Sequence, residues 1–225
     1  MSTLNRTRMS ELYERERLAF TTTHPGSAAL AEPAGQHMLG GVPMSWMVKW
    51  PGDFPIFVES AAGAHFTDVD GIDYVDFCLG DTGAMAGHSP AATVAAVTAQ
   101  LARGITTMLP TADSIAVSSE LSRRFGLPLW QFTLTATDAN RHAIRYARLL
   151  TGRRKIVVHN FCYHGSVDEA FATLDGDRRT VDRRSNIGPG VPTAETTIVV
   201  EFNDLAAMEA ALAPVRSPPC CWNRP

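Results

Sequence analysis

The N-terminal part of the chain has apolar residues at helical spacing, followed by a stretch without periodicity. Residues 3–19 predict an amphipathic helix, capped by Ser2 or Thr3 and ended by Pro25-Gly26. Residues 33–55 are rich in Gly and Pro and carry several Met and Trp side chains. We interpret them as a loop that lies over a ligand or a partner subunit.

An alternating pattern of apolar and polar residues follows. It predicts three short antiparallel strands at residues 56–58, 65–68 and 74–77. Gly63 and Asp70-Gly71 stand where the turns are needed, and Asp-Gly is a strong hairpin signal. This region is therefore predicted to be a small antiparallel meander.

Two helices are predicted next. One starts at Ser89-Pro90, runs to Arg103 and stops at Gly104, with Ser as the cap and Pro in the first turn. Its buried stripe is predicted to consist of Val94, Val97 and Leu101. The second helix covers residues 113–125 and ends before a glycine.

Strands and helices then alternate to the end of the pattern. Such alternation predicts parallel strands joined by crossover helices, and hence an α/β layer. The predicted strands are residues 131–135, 155–159 and 196–202, the predicted helices are residues 138–150, 166–174 and 204–212, and a charged loop covers residues 178–190.

Composition narrows the function classes. The chain has 225 residues, a net charge of −3 and 45% hydrophobic residues, which favours a globular protein and makes nucleic acid an improbable partner. It has no apolar run of membrane-spanning length and no signal-peptide stretch, so we expect a cytoplasmic protein. Its four cysteines form no disulfide framework, and its only lysines are Lys49 and Lys155.

The last residues break the pattern. A parallel strand is expected after the helix at 204–212, but Pro218-Pro219-Cys220-Cys221 cannot form a central strand. Codons that we chose for Arg216 to Arg224 encode Val-Ala-Ala-Val-Leu-Leu-Glu-Pro when the frame is shifted by two bases. We therefore expect three regions, residues 1–88, 89–213 and an aberrant tail 214–225, and the gene sequence tests the frameshift.

The most informative segment joins a predicted strand to a helix. Small residues from Thr135 to Ala139 lie between them, with the acidic Asp138 at the predicted helix start. Backbone N–H groups and the positive end of the helix dipole then point at one place, which is typical of a phosphate site. Cys162-Tyr163-His164-Gly165 lies in the loop after the next strand. A phosphate site with a nearby flat ring predicts a phosphorylated aromatic cofactor.

Simpler interpretations stay open for each segment. Thr135 to Ala139 is also compatible with an ordinary helix cap. His159, Cys162 and His164 lack a standard metal-ligand spacing, and Cys162 with His164 has no orienting acid for nucleophilic catalysis. Residues 68–73 are similar to a calcium loop but lack its downstream Glu, so a hairpin turn is favoured.

Taken in order, these segments resemble the N-terminal half of a class III pyridoxal-phosphate aminotransferase, near the glutamate-1-semialdehyde aminomutase branch. The resemblance covers residues 36–213. Its segments are Gly40-Gly41-Val42, Asp68-Val69-Asp70-Gly71 with Tyr74-Val75-Asp76, Gly87-His88-Ser89-Pro90, Thr135-Ala136-Thr137-Asp138-Ala139 and Cys162-Tyr163-His164-Gly165.

The resemblance implies a fold-type I α/β protein with pyridoxal 5'-phosphate as cofactor. It assigns the phosphate to the N–H groups of Ala136 and Thr137 and to the Thr137 hydroxyl, with Thr135 in support. It assigns stacking on the pyridine ring to Tyr163, and His164 belongs to the same motif. Thr135 and Ala136 replace the family's Ser and Gly, and Ala136 would be strained at positive φ.

The resemblance also implies what this chain lacks. The family's Schiff-base lysine and the acid against the pyridine nitrogen lie beyond the matched segments, and neither Lys49 nor Lys155 matches that lysine. We therefore expect a fragment of a homodimeric enzyme that moves an amino group on a small-molecule amino acid or amine, inactive alone. The alternative is a non-catalytic remnant or a weak phosphate-binding module. The aminomutases carry an arginine where this chain has Trp46-Met47-Val48, so the substrate is left open.

Overall fold

A computed structural model describes residues 5–213 of the chain. The chain divides into two compact units, one ending at Pro110 and the other beginning at Thr111. The tail at 214–225 and the predicted caps Ser2 and Thr3 lie outside the described residues. The predicted division at residue 88 stays a prediction.

Two consecutive helices open the first unit. Helix α1 spans Arg6–Thr23, and the side chain of its N-cap Asn5 accepts a hydrogen bond from the Arg8 N–H at 3.0 Å. Helix α2 spans Pro25–His37. Pro25 therefore begins a second helix and does not simply follow the first, because the missing N–H of proline costs nothing in a first helical turn.

The predicted loop at 33–55 is partly helical. Pro33 lies inside α2, and two short 3₁₀ turns follow at Leu39–Gly41 and Ser45–Lys49. Trp46 and Trp50 are exposed, and their ring centroids are 6.3 Å apart. The prediction of a loop without helical turns is wrong, and its placement over a ligand or a partner subunit stays a prediction.

The antiparallel meander is confirmed. It contains β1 (Val58–Ala62), β2 (His65–Asp68) and β3 (Asp73–Val75) in the order β1-β2-β3. The first strand begins later than predicted, because Val58 is the first of its residues to pair with β2, opposite Asp68.

Asp68 closes the turn between β2 and β3. Its buried carboxylate accepts hydrogen bonds from the N–H groups of Asp70 and Ile72 and from the hydroxyl of Tyr74. Because its carboxylate makes these bonds, Asp68 stabilises a hairpin turn. The sequence favoured this turn over a calcium loop. Asp70 instead accepts from the N–H groups of Gly26 and Ser27, at 2.5 and 2.9 Å, and so caps α2.

The next two helices lie near their predicted positions. Helix α3 spans Ala91–Leu101, and α4 spans Ala112–Phe125 with Gly126 in the left-handed conformation after its end. Ser89 does not cap α3. Its φ is +51° and its hydroxyl donates to the carbonyl of Ala61, which leaves Pro90 at the cap.

The second unit contains a parallel pair of strands and an antiparallel hairpin. The parallel pair joins β4 (Ile156–His159) to β7 (Thr197–Val200), and the hairpin joins β5 (Ala172–Leu174) to β6 (Thr180–Asp182). Helix α5 spans Ala136–Thr151 and helix α6 spans Leu205–Leu212.

Some predictions for this unit are wrong. Residues 131–135 form no strand, because no described segment pairs with them. The predicted helix at 166–174 is a 3₁₀ turn at Asp168–Ala170 followed by β5, and the predicted loop at 178–190 contains β6. Asp204, and not Asn203, caps α6.

A small core lies between the two sheets of this unit. Val158 of β4, Ala172 of β5 and Val199 of β7 form its buried centre. Cys162, which follows β4, packs against that centre, so the loop after β4 is anchored from below. No helix among residues 5–213 is long and apolar enough to cross a membrane.

Candidate cofactor site

The N-terminus of α5 is the first part of the candidate site. Thr135 is the N-cap, and its hydroxyl oxygen accepts from the Asp138 N–H at 3.1 Å and donates to the Asp138 carboxylate at 2.9 Å. The helix therefore begins at Ala136, two residues earlier than predicted. The N–H groups of Ala136 and Thr137 belong to its first turn and have no acceptor among residues 5–213.

Ala136 is not strained. It has helical backbone angles and is absent from the residues with positive φ. The replacement of the family's Gly by Ala is therefore compatible with this turn. The left-handed conformation of the site lies instead at Gly165, whose φ is +75°.

The loop at residues 162–166 packs directly on the start of α5. The Ser166 N–H donates to the Thr137 hydroxyl oxygen at 2.9 Å. A Cβ on Gly165 would lie 2.5 Å from that oxygen and 2.9 Å from the Thr137 Cα. The glycine of the motif thus allows a close approach that any side chain would prevent.

Two further residues of α5 hold the same loop, and the sequence analysis did not find them. The Asn140 amide donates to the His164 carbonyl at 2.9 Å, and the Arg141 guanidinium reaches the Ser166 carbonyl at 3.4 Å. Only Asn140 carried a usable signal in the sequence, because Asn in a helix interior without a local role is unfavourable.

The structure brings the five predicted site residues to two adjoining segments. Thr135, Ala136 and Thr137 begin α5, and Tyr163 and His164 lie in the loop bonded to it. Tyr163 is 70% exposed and His164 is exposed. The phenol ring is therefore available to a flat ligand.

The environment of Cys162 does not suit a nucleophile, because its side chain packs on the core. Its thiol is half-buried and lies 4.0 Å from the Ala170 carbonyl oxygen. Burial raises the pKa of the Cys162 thiol, an effect that the nearby Arg183 cation only partly offsets. A raised pKa disfavours the reactive thiolate. No three His, Cys, Asp or Glu side chains of residues 5–213 converge in a group that could hold a metal ion.

Lys155 does not lie beside the candidate ring site of its unit. Lys155 is exposed and precedes β4, whereas Tyr163 follows the other end of that strand. A four-residue strand is about 13 Å long, so the two side chains start at opposite ends of the sheet. Lys49 is exposed on a 3₁₀ turn of the first unit.

Comparison with known proteins decides the family. The family described as "Aminotransferase class-III" matches residues 47–216. The chain belongs to this family. The glutamate-1-semialdehyde 2,1-aminomutase of Methanocella arvoryzae is 34% identical over 187 residues, which are 83% of this chain and 43% of that protein.

Comparison with solved structures agrees. A glutamate-1-semialdehyde aminomutase from Pseudomonas aeruginosa PAO1, in complex with PMP, has 51% identity and a TM-score of 0.88, covering 93% of this chain and 46% of that one. A transaminase with PLP bound has 30% identity and a TM-score of 0.73, covering 84% and 44%. The predicted family and its fold-type I architecture are confirmed, and this class-III chain spans less than half the length of these relatives.

Proposed function

We propose that this chain binds pyridoxal 5'-phosphate as part of an aminotransferase or aminomutase that moves an amino group on a small-molecule amino acid or amine. The observation that carries the proposal is the junction of two segments: the open first turn of α5 and the loop that presents Tyr163. One holds an anion and the other offers an aromatic face. Membership of the family and the cofactors named for its solved relatives support the same group.

The first turn of α5 provides hydrogen-bond donors for the phosphate. The N–H groups of Ala136 and Thr137 have no acceptor in the described part of the chain and can donate to a ligand, and the positive end of the helix dipole favours an anion there. The Thr137 oxygen already accepts from Ser166, so its own hydrogen is available for a phosphate oxygen. The Thr135 hydroxyl is occupied by Asp138 and acts only by capping the helix.

The chain's remaining role is to orient the pyridine ring. We assign stacking to the exposed Tyr163, with His164 fixed through its backbone by Asn140. When bound, the cofactor supplies the electron sink for amino-group transfer. That chemistry also needs a lysine, and Lys155 lies at the wrong end of β4.

We therefore propose that residues of this chain bind and orient the cofactor but do not complete the reaction. We also propose that the complete enzyme is a homodimer, as the family resemblance implies. The identities of its amino donor and acceptor are left open. Two experiments test it, one on cofactor binding and one on covalent attachment and turnover.

Binding of pyridoxal phosphate and of inorganic phosphate is measured by isothermal titration calorimetry. Thr137→Val removes the hydroxyl while keeping the shape of the side chain, and we expect both affinities to fall about tenfold to a hundredfold, since a hydrogen bond to a charged group contributes about 1.5–3 kcal/mol. Thr151→Val at the other end of α5 is the matched control and should bind as the unaltered chain does. Unchanged affinities in Thr137→Val would contradict the assigned phosphate site.

For covalent attachment, the cofactor-loaded chain is treated with borohydride and analysed by mass spectrometry. We expect no cofactor joined to Lys49 or Lys155 in a specific, saturable way, and no transamination of amino acids. Saturable labelling of either lysine that disappears in the corresponding Lys→Ala variant would refute the proposed division of labour.

A simple phosphate-binding module is the second candidate. It is favoured by the N–H groups in the first turn of α5, which can bind an anion without an aromatic ring. The two candidates differ in the contribution of the ring. Equal affinity for inorganic phosphate and for pyridoxal phosphate, unaffected by Tyr163→Ala, would support the module and remove the aromatic cofactor.

A further inference from the structure

We propose that Arg183 is a positioning residue for Tyr163, acting through the backbone of the cofactor loop. Its guanidinium Nη2 donates to the carbonyl oxygen of Cys162 at 2.9 Å and lies 3.4 Å from that of Ala172. Cys162 is the residue immediately before the predicted stacking aromatic. Arg183 itself lies 20 residues further along the chain than Tyr163 (183 − 163).

The hairpin β5–β6 fixes where the guanidinium starts. Asp182, the last residue of β6, pairs with Ala172 of β5, and the Arg183 N–H donates to the Phe171 carbonyl at 2.7 Å. Arg183 is half-buried, and its Nε is buried with no acceptor among the residues described. An unpaired buried donor such as this Nε–H destabilises the fold. The contacts of Nη2 with the two carbonyl oxygens must offset that cost, so they hold the guanidinium in place.

A hydrogen bond to the Cys162 carbonyl oxygen also restrains the backbone of Tyr163, because the peptide unit that joins the two residues is planar. The Cys162 carbonyl, the Tyr163 N–H and the Tyr163 Cα lie in one rigid plane. The thiol side of Cys162 packs on the core, and its N–H donates to the His159 carbonyl at 3.1 Å. With Arg183 on the oxygen, the direction in which Tyr163 leaves the core is fixed.

The other side of Tyr163 is held as well. Asn140 donates to the His164 carbonyl, so the backbone oxygens on both sides of the aromatic residue are bonded to side chains from separate elements. The Asn140 contact belongs to the phosphate end of the site, whereas Arg183 comes from the hairpin. A change at Arg183 should therefore affect the orientation of the Tyr163 ring but not phosphate binding at the first turn of α5.

This inference rests on the proposed function and predicts a divided effect. Arg183→Ala should leave the affinity for inorganic phosphate within about twofold of the original value. It should weaken pyridoxamine phosphate about threefold to tenfold, the size expected when an aromatic contact of about 0.5–1.5 kcal/mol is lost. Arg183→Lys keeps the cation but cannot reproduce the planar guanidinium, so it should recover only part of the loss.

The experiment uses the full chain with two probes, inorganic phosphate and pyridoxamine phosphate, the latter because it cannot condense with lysine. Affinities come from calorimetry, and the circular dichroism induced in the pyridine absorption band reports a ring held in one orientation. The variants are Arg183→Ala, Arg183→Lys, Tyr163→Ala and the double variant Arg183→Ala with Tyr163→Ala. Arg184→Ala, an exposed neighbour, is the control.

We expect the induced signal to vanish in Arg183→Ala and in Tyr163→Ala, to persist in Arg184→Ala, and the two losses of affinity not to add in the double variant. Full additivity, or an induced signal unchanged in Arg183→Ala, overturns the inference. If Arg183→Ala lowers helix and strand content, the comparison rests on Arg183→Lys, for which an unchanged signal overturns it equally. If the unaltered chain binds neither probe, the proposed function itself fails.

Discussion

At the scale of single residues, the candidate site depends on one close backbone approach. Gly165 lies against Thr137 with a φ of +75°, and the adjoining Ser166 N–H bonds to the Thr137 hydroxyl. The sequence identified Gly165 as part of a motif. It could not show that the glycine contacts a residue 28 positions earlier (165 − 137), because that contact exists only once the loop after β4 and the start of α5 meet.

We expect Gly165→Ala to destabilise the second unit by about 1–3 kcal/mol, since the new Cβ meets Thr137 and the left-handed backbone is strained. Phosphate affinity should fall with it, because Thr137 must move. Gly176→Ala is the control, as a Cβ there meets nothing within 4 Å and its φ is not positive. Urea unfolding and phosphate titration measure both effects, and equal stability of the two variants would contradict the close approach.

At the scale of elements, a buried polar cluster joins the first helices to the meander. His24 lies between α1 and α2, and its Nε2 is 2.6 Å from the Tyr74 hydroxyl of β3. That hydroxyl donates to the Asp68 carboxylate at 3.0 Å. All three side chains are buried or half-buried, so each depends on the others for its hydrogen bonds.

This cluster predicts a loss of stability at alkaline pH. Burial and the hydrogen bond to Asp68 raise the pKa of Tyr74 to about 12, against about 10 in the unfolded chain. The contribution of the neutral phenol is therefore fully present below pH 10 and is lost as the pH rises towards 12. Urea unfolding of the first unit at pH 8, 10 and 11 measures it.

Tyr74→Phe tests the assignment. We expect it to cost about 1–3 kcal/mol at pH 8, because Asp68 and His24 lose a buried partner, and to flatten the fall between pH 10 and 12. Tyr13→Phe, on the exposed face of α1, is the control and should show the original pH dependence. A Tyr74→Phe profile parallel to the original would show that another group titrates.

Elements were predictable where the signal is local. Helix α4 and the turn at Asp70-Gly71 agree with the structure, because caps and turn glycines act within a few residues. Residues 131–135 form no strand and residues 172–174 form one, because a strand needs a partner that a short apolar run does not specify. In the same way, the small-residue turn indicated the start of α5 and hence the proposed phosphate site, whereas the contacts of Asn140 and Arg183 depend on the assembled unit.

At the scale of the whole chain, large apolar side chains are poorly covered. The buried hydrophobic residues among those described are only alanines and valines. Helix α3 has no charged residue and no buried residue. The prediction that Val94, Val97 and Leu101 form a buried stripe is wrong, because all three side chains are about half exposed. An apolar helix is stable only when something covers it.

We therefore expect the isolated chain to bind the dye ANS strongly and to self-associate. Val97→Glu with Leu101→Glu should lower both dye fluorescence and the associated fraction in light scattering, because it places charge on the apolar face of α3. Thr98→Glu, an exposed polar position of the same helix, is the control and should change neither by much. A monomer that ignores the dye would show that this face is covered in solution.

The first turn of α5 also has a consequence for the ionisation state of the phosphate ester proposed to bind there. The Ala136 N–H, the Thr137 N–H and the Thr137 hydroxyl hydrogen are all donors, and the positive end of the helix dipole lies beside them. A doubly charged monoester offers these donors more negative charge than a monoester that still carries a proton. The proposed phosphate site should therefore favour the doubly charged ester, and its occupancy should climb as the solution passes the second phosphate ionisation near pH 6.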